Sequence, residues 1–514
     1  MSSHFLNDTP QSSSILPTLV TKLRCKSLSN IPYRYKISIL LCTGGIAYIL
    51  MYISFKEALQ HMKEPEPYTN LSYSGQCKFA RNVSKVTYVK PSFHLWAPSD
   101  YLNLELAPSC GVLVTAFPSG YFADMYGGKY FVWIPVILLG LVEAIIPPIL
   151  SGGDMDYYIL MFWQFLSGVG LAMFYSGANS ILAQWTPVEE RARLASIAYC
   201  ASQFAVVFHY GTTSNFILAT KMWNAPFYLY IALGLIWVVC FAFFGFSHYQ
   251  SKKNKWLHEE ELQFLTRKLE NMTAFRRKKF PWLKFFTSFA LWAVVVAHFG
   301  FNWMWKVMLT NLHPYLRHAL YFDYQTTDGL CALSYFLMGL MTVLNGFVAD
   351  FLTNRKYVHL MTLRKLYTTI GLMGPITFLL SSSYAGCHWE SAIVLITIGM
   401  ILMSFYFSGT RINTLEFAPN FSASVMGMMN TFDITPVIGV PKLAAIIRPH
   451  NTLPEKKLMF WVYVGMVAFC TLTFTFIGST ETQSWNGDDH EEEEIEMENS
   501  SMTPRNQYMD PRVT

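Results

Sequence analysis

Charge is scarce in this chain. Only 14% of its 514 residues are Asp, Glu, Lys or Arg, against 52% apolar and 16% aromatic. Soluble domains carry about 25% charged residues, so a water-soluble globular protein is excluded. Cysteine is sparse too: nine are scattered, mostly inside apolar stretches, without metal-ligand spacing. No metal site is therefore expected. Only Cys77 and Cys387 fall in separate loops on one side of the expected topology, where they could meet as a disulfide. A nucleophile elbow and a phosphate-binding glycine loop are also missing, which argues against an enzyme and leaves no cofactor to expect.

What is present is apolar runs close to the roughly 20 residues that cross a bilayer. Twelve are expected, over 37–57, 104–124, 130–150, 158–182, 194–219, 227–246, 289–312, 329–350, 366–385, 391–410, 421–447 and 458–479. Lys22, Arg24, Lys26, Arg34 and Lys36 precede the first, which under the positive-inside rule holds the N-terminus in the cytoplasm. An even number of spans returns the C-terminus there. The loop 58–103 then faces the lumen or cell exterior, where its sequons at Asn70 and Asn82 can be glycosylated.

The domain plan follows. A cytoplasmic tail, 1–36, leads into a first six-span half, 37–246; a basic cytoplasmic linker, 247–288, leads into a second half, 289–479; an acidic tail, 480–514, closes the chain. Within the linker, "LHEEELQFLTRKLE" has the periodicity of a short surface helix.

The halves echo each other. "GYFADMYGGK" (Gly120 to Lys129) closes the second span and "GFVADFLTNRK" (Gly346 to Lys356) the eighth, with Asp124 and Asp350 equivalent. "WTPVEERARLAS" before the fifth span and "FAPNFSASVMG" before the eleventh align at Pro187 and Pro419. Two pairs at nearly one offset indicate a duplicated six-helix unit, an architecture of secondary transporters. An aspartate at the C-terminal end of its own helix meets the negative end of that dipole, so Asp124 and Asp350 need an outside partner. A neighbouring helix N-terminus or a nearby cation, Lys129 and Arg355, would serve, making these four a breakable interhelical clamp. The glycines permit close approach. At "WTPVEERAR" a local capping box is expected, with Thr186 as cap, Pro187 at the first helical position and Glu189 completing it.

These motifs resemble a known family. The G-x-x-A-D-x-x-G-G-K loop is similar to the signature of the major facilitator superfamily. "QWTPVEERARLASIAYCASQF", "VVAHFGFNW", "GFVADFLTNRK" and "EFAPNFSASVMGMMNT" resemble its sodium-phosphate and vesicular organic-anion transporters, "VVAHFGFNW" lying nearest the sialin-like branch. The resemblance implies an all-α membrane protein of twelve transmembrane helices in two six-helix bundles, the major facilitator fold. It also implies secondary active transport of small anions, with helices one, four, seven and ten lining the cavity. The usual charges have gone. The family's first-helix arginine aligns with Met51, and its fourth-helix arginine, glutamate and histidine align with Gln164, Leu171 and Asn179.

Polar stripes remain on the lining helices. Tyr48 and Tyr52 share a face of the first; Gln164, Tyr175 and Asn179 of the fourth; His298, Asn302 and Lys306 of the seventh. These eight are the candidate substrate-binding residues. A lysine in hydrocarbon costs on the order of 3 kcal/mol, so Lys306 needs water or a partner. Asp433, about 18 Å into the eleventh span, and His298 are the candidate ion-coupling groups. The expected partners are a small-molecule substrate, a coupling ion such as a proton or sodium, and the lipid bilayer of the plasma membrane or an endolysosomal or secretory vesicle. A monomer is expected, without nucleic acid. Two other readings stay open: a carrier of neutral or zwitterionic solutes, and a non-transporting sensor or scaffold.

Overall fold

A computed structural model describes residues 31–62, 98–151, 157–222, 224–251, 254–269, 280–314, 316, 324–382, 384, 388–447 and 453–487. The sequons at Asn70 and Asn82 and the Cys77 and Cys387 pair lie outside the described residues. Among those residues every regular element is helical. In hydrocarbon each backbone N–H and C=O must find a partner inside the chain, and a helix does this within one segment.

Twelve segments follow in order. They are Tyr33–Met62, Pro98–Tyr126, Gly128–Ser151, Tyr157–Trp185, a fifth in two pieces (Arg191–Tyr199 and Ala201–Thr220) and Ala225–Phe244. The second half comprises Phe289–Pro314, Tyr324–Asn354, Leu360–Ser382, a tenth (Trp389–Met403 and Ile412–Phe417), an eleventh (Ser422–Thr431 and Ile434–Ile447) and Leu453–Ile477. Several helices outrun their apolar cores: the first begins at Tyr33 and not 37, and the tenth continues past 410 to Phe417. Length and hydropathy alone single out eight as bilayer-crossing. The seventh and ninth are richer in polar side chains, and the fifth and eleventh are broken.

The breaks have local causes. Pro436 lacks an N–H and crowds the carbonyl four residues back, so the amides of Phe432, Asp433 and Thr435 bond three residues back, to Met429, Asn430 and Phe432, at 3.3, 3.1 and 3.1 Å. The tenth segment carries a π-turn over Phe407–Arg411, a wider coil that turns the following side chains relative to an α-helix.

The halves meet where the second segment packs on the eleventh and the fifth on the eighth. Both repeated glycines make this possible. A Cβ at Gly120 would stand 2.2 Å from the Ala423 carbonyl oxygen, and one at Gly346 2.7 Å from that of Ala192.

The linker sits on the face that carries the start of the first segment and the end of the twelfth. Its helix, Glu259–Lys268, buries Leu265. Glu261 accepts from the Tyr33 and Arg34 amides at 2.7 and 3.2 Å and from Arg34 Nη1 at 3.0 Å, satisfying donors at the start of the first segment. Farther on, Phe280 and Phe285 stack among Phe117, Phe421 and Trp485, bridging second segment, eleventh segment and C-terminal extension.

On the same face Arg364, 2% exposed, donates to Glu416, 7% exposed, with Nη2 2.6 Å from Oε1. Arg364 Nη1 also donates to the Ser408 carbonyl at 2.7 Å, so the pair ties the ninth segment to the π-turn of the tenth. Leaving one buried charge unpaired is expensive. Glu416→Ala should lower stability by about 3–5 kcal/mol, whereas Arg364→Met with Glu416→Leu should recover most of it; thermal unfolding in detergent measures both, and an undiminished Glu416→Ala would contradict the assignment.

Candidate substrate pathway and the interface that closes it

On the linker face each half inserts one carboxylate into the other. Asp124 accepts from the Ala423 amide at 3.1 Å, the Ser424 amide at 2.7 Å and the Ser424 hydroxyl at 2.6 Å. Asp350, 4% exposed, accepts from the Ala192 and Arg193 amides at 3.0 and 2.9 Å, with Arg193 Nε 3.8 Å away. Each aspartate thus caps the free N–H groups at the start of a helix in the opposite half, where the dipole favours an anion.

The receiving helices have no cap of their own. No side-chain cap bond forms at Pro187, Glu190 or Phe421. Thr186, expected as the local cap, instead donates to the Leu182 carbonyl at 2.7 Å, and the fifth segment begins five residues later at Arg191. The expected capping box is therefore corrected: that N-terminus is capped from across the interface. Arg355 lies over the Phe351 ring at 5.9 Å, and the cation that stands against Asp350 is Arg193. Lys129 Nζ donates to the Ala242 carbonyl at 3.3 Å and stands 5.2 Å from the Phe246 ring.

Deeper in the second half, the structure gathers His298, Asn302 and Asp433. His298, 1% exposed, has Nε2 2.8 Å from Asn302 Nδ2 and 3.3 Å from Asp433 Oδ1, and Asn302 donates to Asp433. Its Nδ1 lies 2.5 Å from the Tyr406 hydroxyl, and the Tyr406 ring stacks on Phe301 at 3.8 Å. Segments seven, ten and eleven are joined in one network. Asp433 sits at the Pro436 break, its side chain 34% exposed, so the carboxylate is reachable while the imidazole behind it is sealed. Lys306, half-buried, lies two turns beyond His298 on the same helix.

The first half presents mainly aromatic and amide groups. Tyr48 is fully buried, stacks on Phe174 at 5.4 Å and donates to the Ser167 carbonyl at 2.7 Å, joining the first and fourth segments. Tyr52 and Tyr175 are half-buried. Gln164 is buried with Nε2 unbonded. Asn179 spans the interface, donating to the Ser422 carbonyl at 2.8 Å and accepting from the Tyr199 hydroxyl at 2.7 Å.

One central residue escaped the sequence reading. Arg411 ends the π-turn and is 8% exposed, its guanidinium 5.3 Å from the Tyr175 ring and 4.8 Å from the Tyr199 ring of the other half. It follows the expected end of the tenth span by one residue, where a cation reads as a helix-end anchor.

Two six-segment bundles closed on one face around a polar seam are the build of a major facilitator transporter. Residues 82–440 match the Major Facilitator Superfamily model, and the chain belongs to that superfamily. Among its relatives, "Sialin" of Homo sapiens is 29% identical over 380 residues, covering 74% of this chain and 75% of the relative. The "Putative inorganic phosphate cotransporter" of Drosophila ananassae is 24% identical over 405 residues, covering 76% and 82%. These agree with the branch that the motifs resemble. In fold, the chain is similar to the solved proton:xylose symporter XylE, with a TM-score of 0.63, 14% identity, and coverage of 88% of this chain and 98% of that one.

Asp124→Asn keeps the shape of the cap but removes its charge, a loss of about 1 kcal/mol of charge–dipole attraction. Uptake should change several-fold at normal membrane abundance, and Asp350→Asn should act alike. Unchanged flux in both would show that the caps do not limit the cycle.

Proposed function

We propose that the chain is a secondary transporter of a small organic anion or phosphate, working by alternating access between its two bundles. One observation carries the reading: the reciprocal caps. Asp124 and Asp350 tie the bundles across the linker face, beside the aromatic cluster of Phe117, Phe280, Phe285, Phe421 and Trp485, through charged hydrogen bonds that water can replace when the bundles part. A closure made this way can open and reform, whereas an interface of interlocked apolar groups would not exchange with water so readily.

The substrate class rests on the relatives. Sialin and a putative inorganic phosphate cotransporter stand among them, and the chemistry of this seam fits an anion. Lys306 and Arg411 bring cationic groups to it, with Asn302, Gln164, Tyr52 and Tyr175 as neutral hydrogen-bonding groups, whereas Tyr48 is buried with its hydroxyl on the Ser167 carbonyl. The linker and both termini are assigned to the cytoplasm, so the described conformation is closed toward the cytoplasm. Residues 37–246 and 289–479 are assigned as the moving bodies. The relatives' class points to a plasma, endolysosomal or vesicular membrane, with Asn70 and Asn82 on its non-cytoplasmic side.

Asp433 and His298 are assigned to ion coupling. A proton placed on the pair neutralises the exposed carboxylate and turns Asn302 from holding an anion to holding a neutral acid. Binding of a substrate anion nearby favours that proton, and the proton favours the anion. This is coupling by mutual electrostatic support.

Uptake into proteoliposomes, with phosphate, dicarboxylates and neutral sugars under an imposed proton or sodium gradient, tests the reading. Gradient-dependent accumulation of an anion is expected, and no accumulation of any solute would overturn it. Asp433→Asn should abolish the stimulation of uptake by an imposed proton gradient; a variant that keeps the wild-type response to the gradient would remove Asp433 as the coupling group.

A further inference from the structure

The family's membrane arginines are absent from the first and fourth helices, yet a buried arginine reaches the same seam from the opposite bundle. Arg411 is more than nine-tenths buried, and its Nε has no hydrogen-bond partner. Among the described residues no carboxylate pairs with it; Glu416 is engaged by Arg364 and Asp433 by His298 and Asn302. Its close neighbours are neutral: the rings of Tyr175 and Tyr199 of the first half at 5.3 and 4.8 Å and of Phe407 at 6.0 Å, with side-chain hydrogen bonds to Tyr199 and Tyr406.

A guanidinium held by aromatic faces retains most of its charge uncompensated. Cation–π contacts return less than the burial of an ion costs. The deficit is made up when an anion enters. The unbonded Nε leaves a donor of the planar fork for an oxygen of a carboxylate or phosphate.

We propose that Arg411 is the anchor for the substrate's anionic group, approached from the seam between Tyr175, Tyr199 and the Tyr406–His298 network. This rests on the anion-transport reading and locates its binding charge. The placement also gives the site a mechanical consequence. Arg411 belongs to the second bundle and the Tyr175 and Tyr199 rings to the first, so an anion that draws the guanidinium away weakens a contact between the moving bodies. Tyr406, just before the π-turn, bonds His298, which connects the anchor to the coupling acid through one side chain.

The experiment uses the full-length chain and binding titrations followed by thermal shift. The probes are inorganic phosphate, L-glutamate and D-glucuronate, with L-glutamine and D-glucose as neutral counterparts. Wild-type protein should bind at least one anion in preference to its neutral counterpart. Arg411→Gln should weaken that anion by at least about 10-fold and leave the neutral compounds unchanged, so that the preference collapses. Arg411→Lys, which keeps the charge but not the fork, should fall between, and it serves as the test if Arg411→Gln melts far below the unliganded wild type. A folded variant that binds the anion within about twofold of wild type would overturn the assignment, as would equal weakening of anionic and neutral probes, the mark of a packing role. A wild-type protein with no preference for anions would overturn the underlying transport reading, and the anchor with it.

Discussion

Everything in this structure that bears on transport depends on two helix N-termini being left open for a carboxylate from the opposite half. The fifth and eleventh segments expose the amides of Ala192, Arg193, Ala423 and Ser424, and none of these helices carries its own cap. Asp350 and Asp124 fill the positions. A self-capped helix would have no electrostatic need for the other bundle. By outsourcing the cap, each half stabilises the other's helix dipole, so charged hydrogen bonds join the packing that closes this face. The close approach at Gly120 and Gly346 brings the backbones near enough for those bonds.

From that closure the rest of the architecture follows in layers. The linker's aromatic residues cover the edge of the interface, and Glu261 fixes the linker helix to the first segment. Arg364 and Glu416 brace the π-turn, which in turn sets Arg411 against the first bundle. The break at Pro436 frees Asp433 to face the seam while His298 stays sealed behind it. The π-turn at Phe407–Arg411 and the break at Pro436 stand beside buried polar side chains, where a membrane-embedded chain tolerates irregular backbone.

Much of this was legible in the residues. Duplication made Asp124 and Asp350 stand out, since a carboxylate at the wrong end of its own helix needs a partner and two copies in register fix where to look. His298, Asn302 and Asp433 were legible because polar groups are rare in hydrocarbon. What could not be read was partnership across sequence distance. Local spacing offered Arg355 to Asp350 and Thr186 to the fifth helix, whereas the partners lie 157 and 158 residues from Asp350 along the chain. Arg411 was hidden by its position: the apolar run ends just before it, and the π-turn that carries it inward has no sequence signature of its own.

The central claim is that the reciprocal carboxylate caps set the balance between a closed and an open linker face. The most direct measurement is the distance between spin labels on the linker-face ends of the fifth and eighth segments, read by double electron–electron resonance in lipid nanodiscs. The account predicts one short distance for the wild type without substrate and a second, longer population that grows when Asp124 and Asp350 are both changed to Asn. An unaltered single distance in the double variant would contradict it.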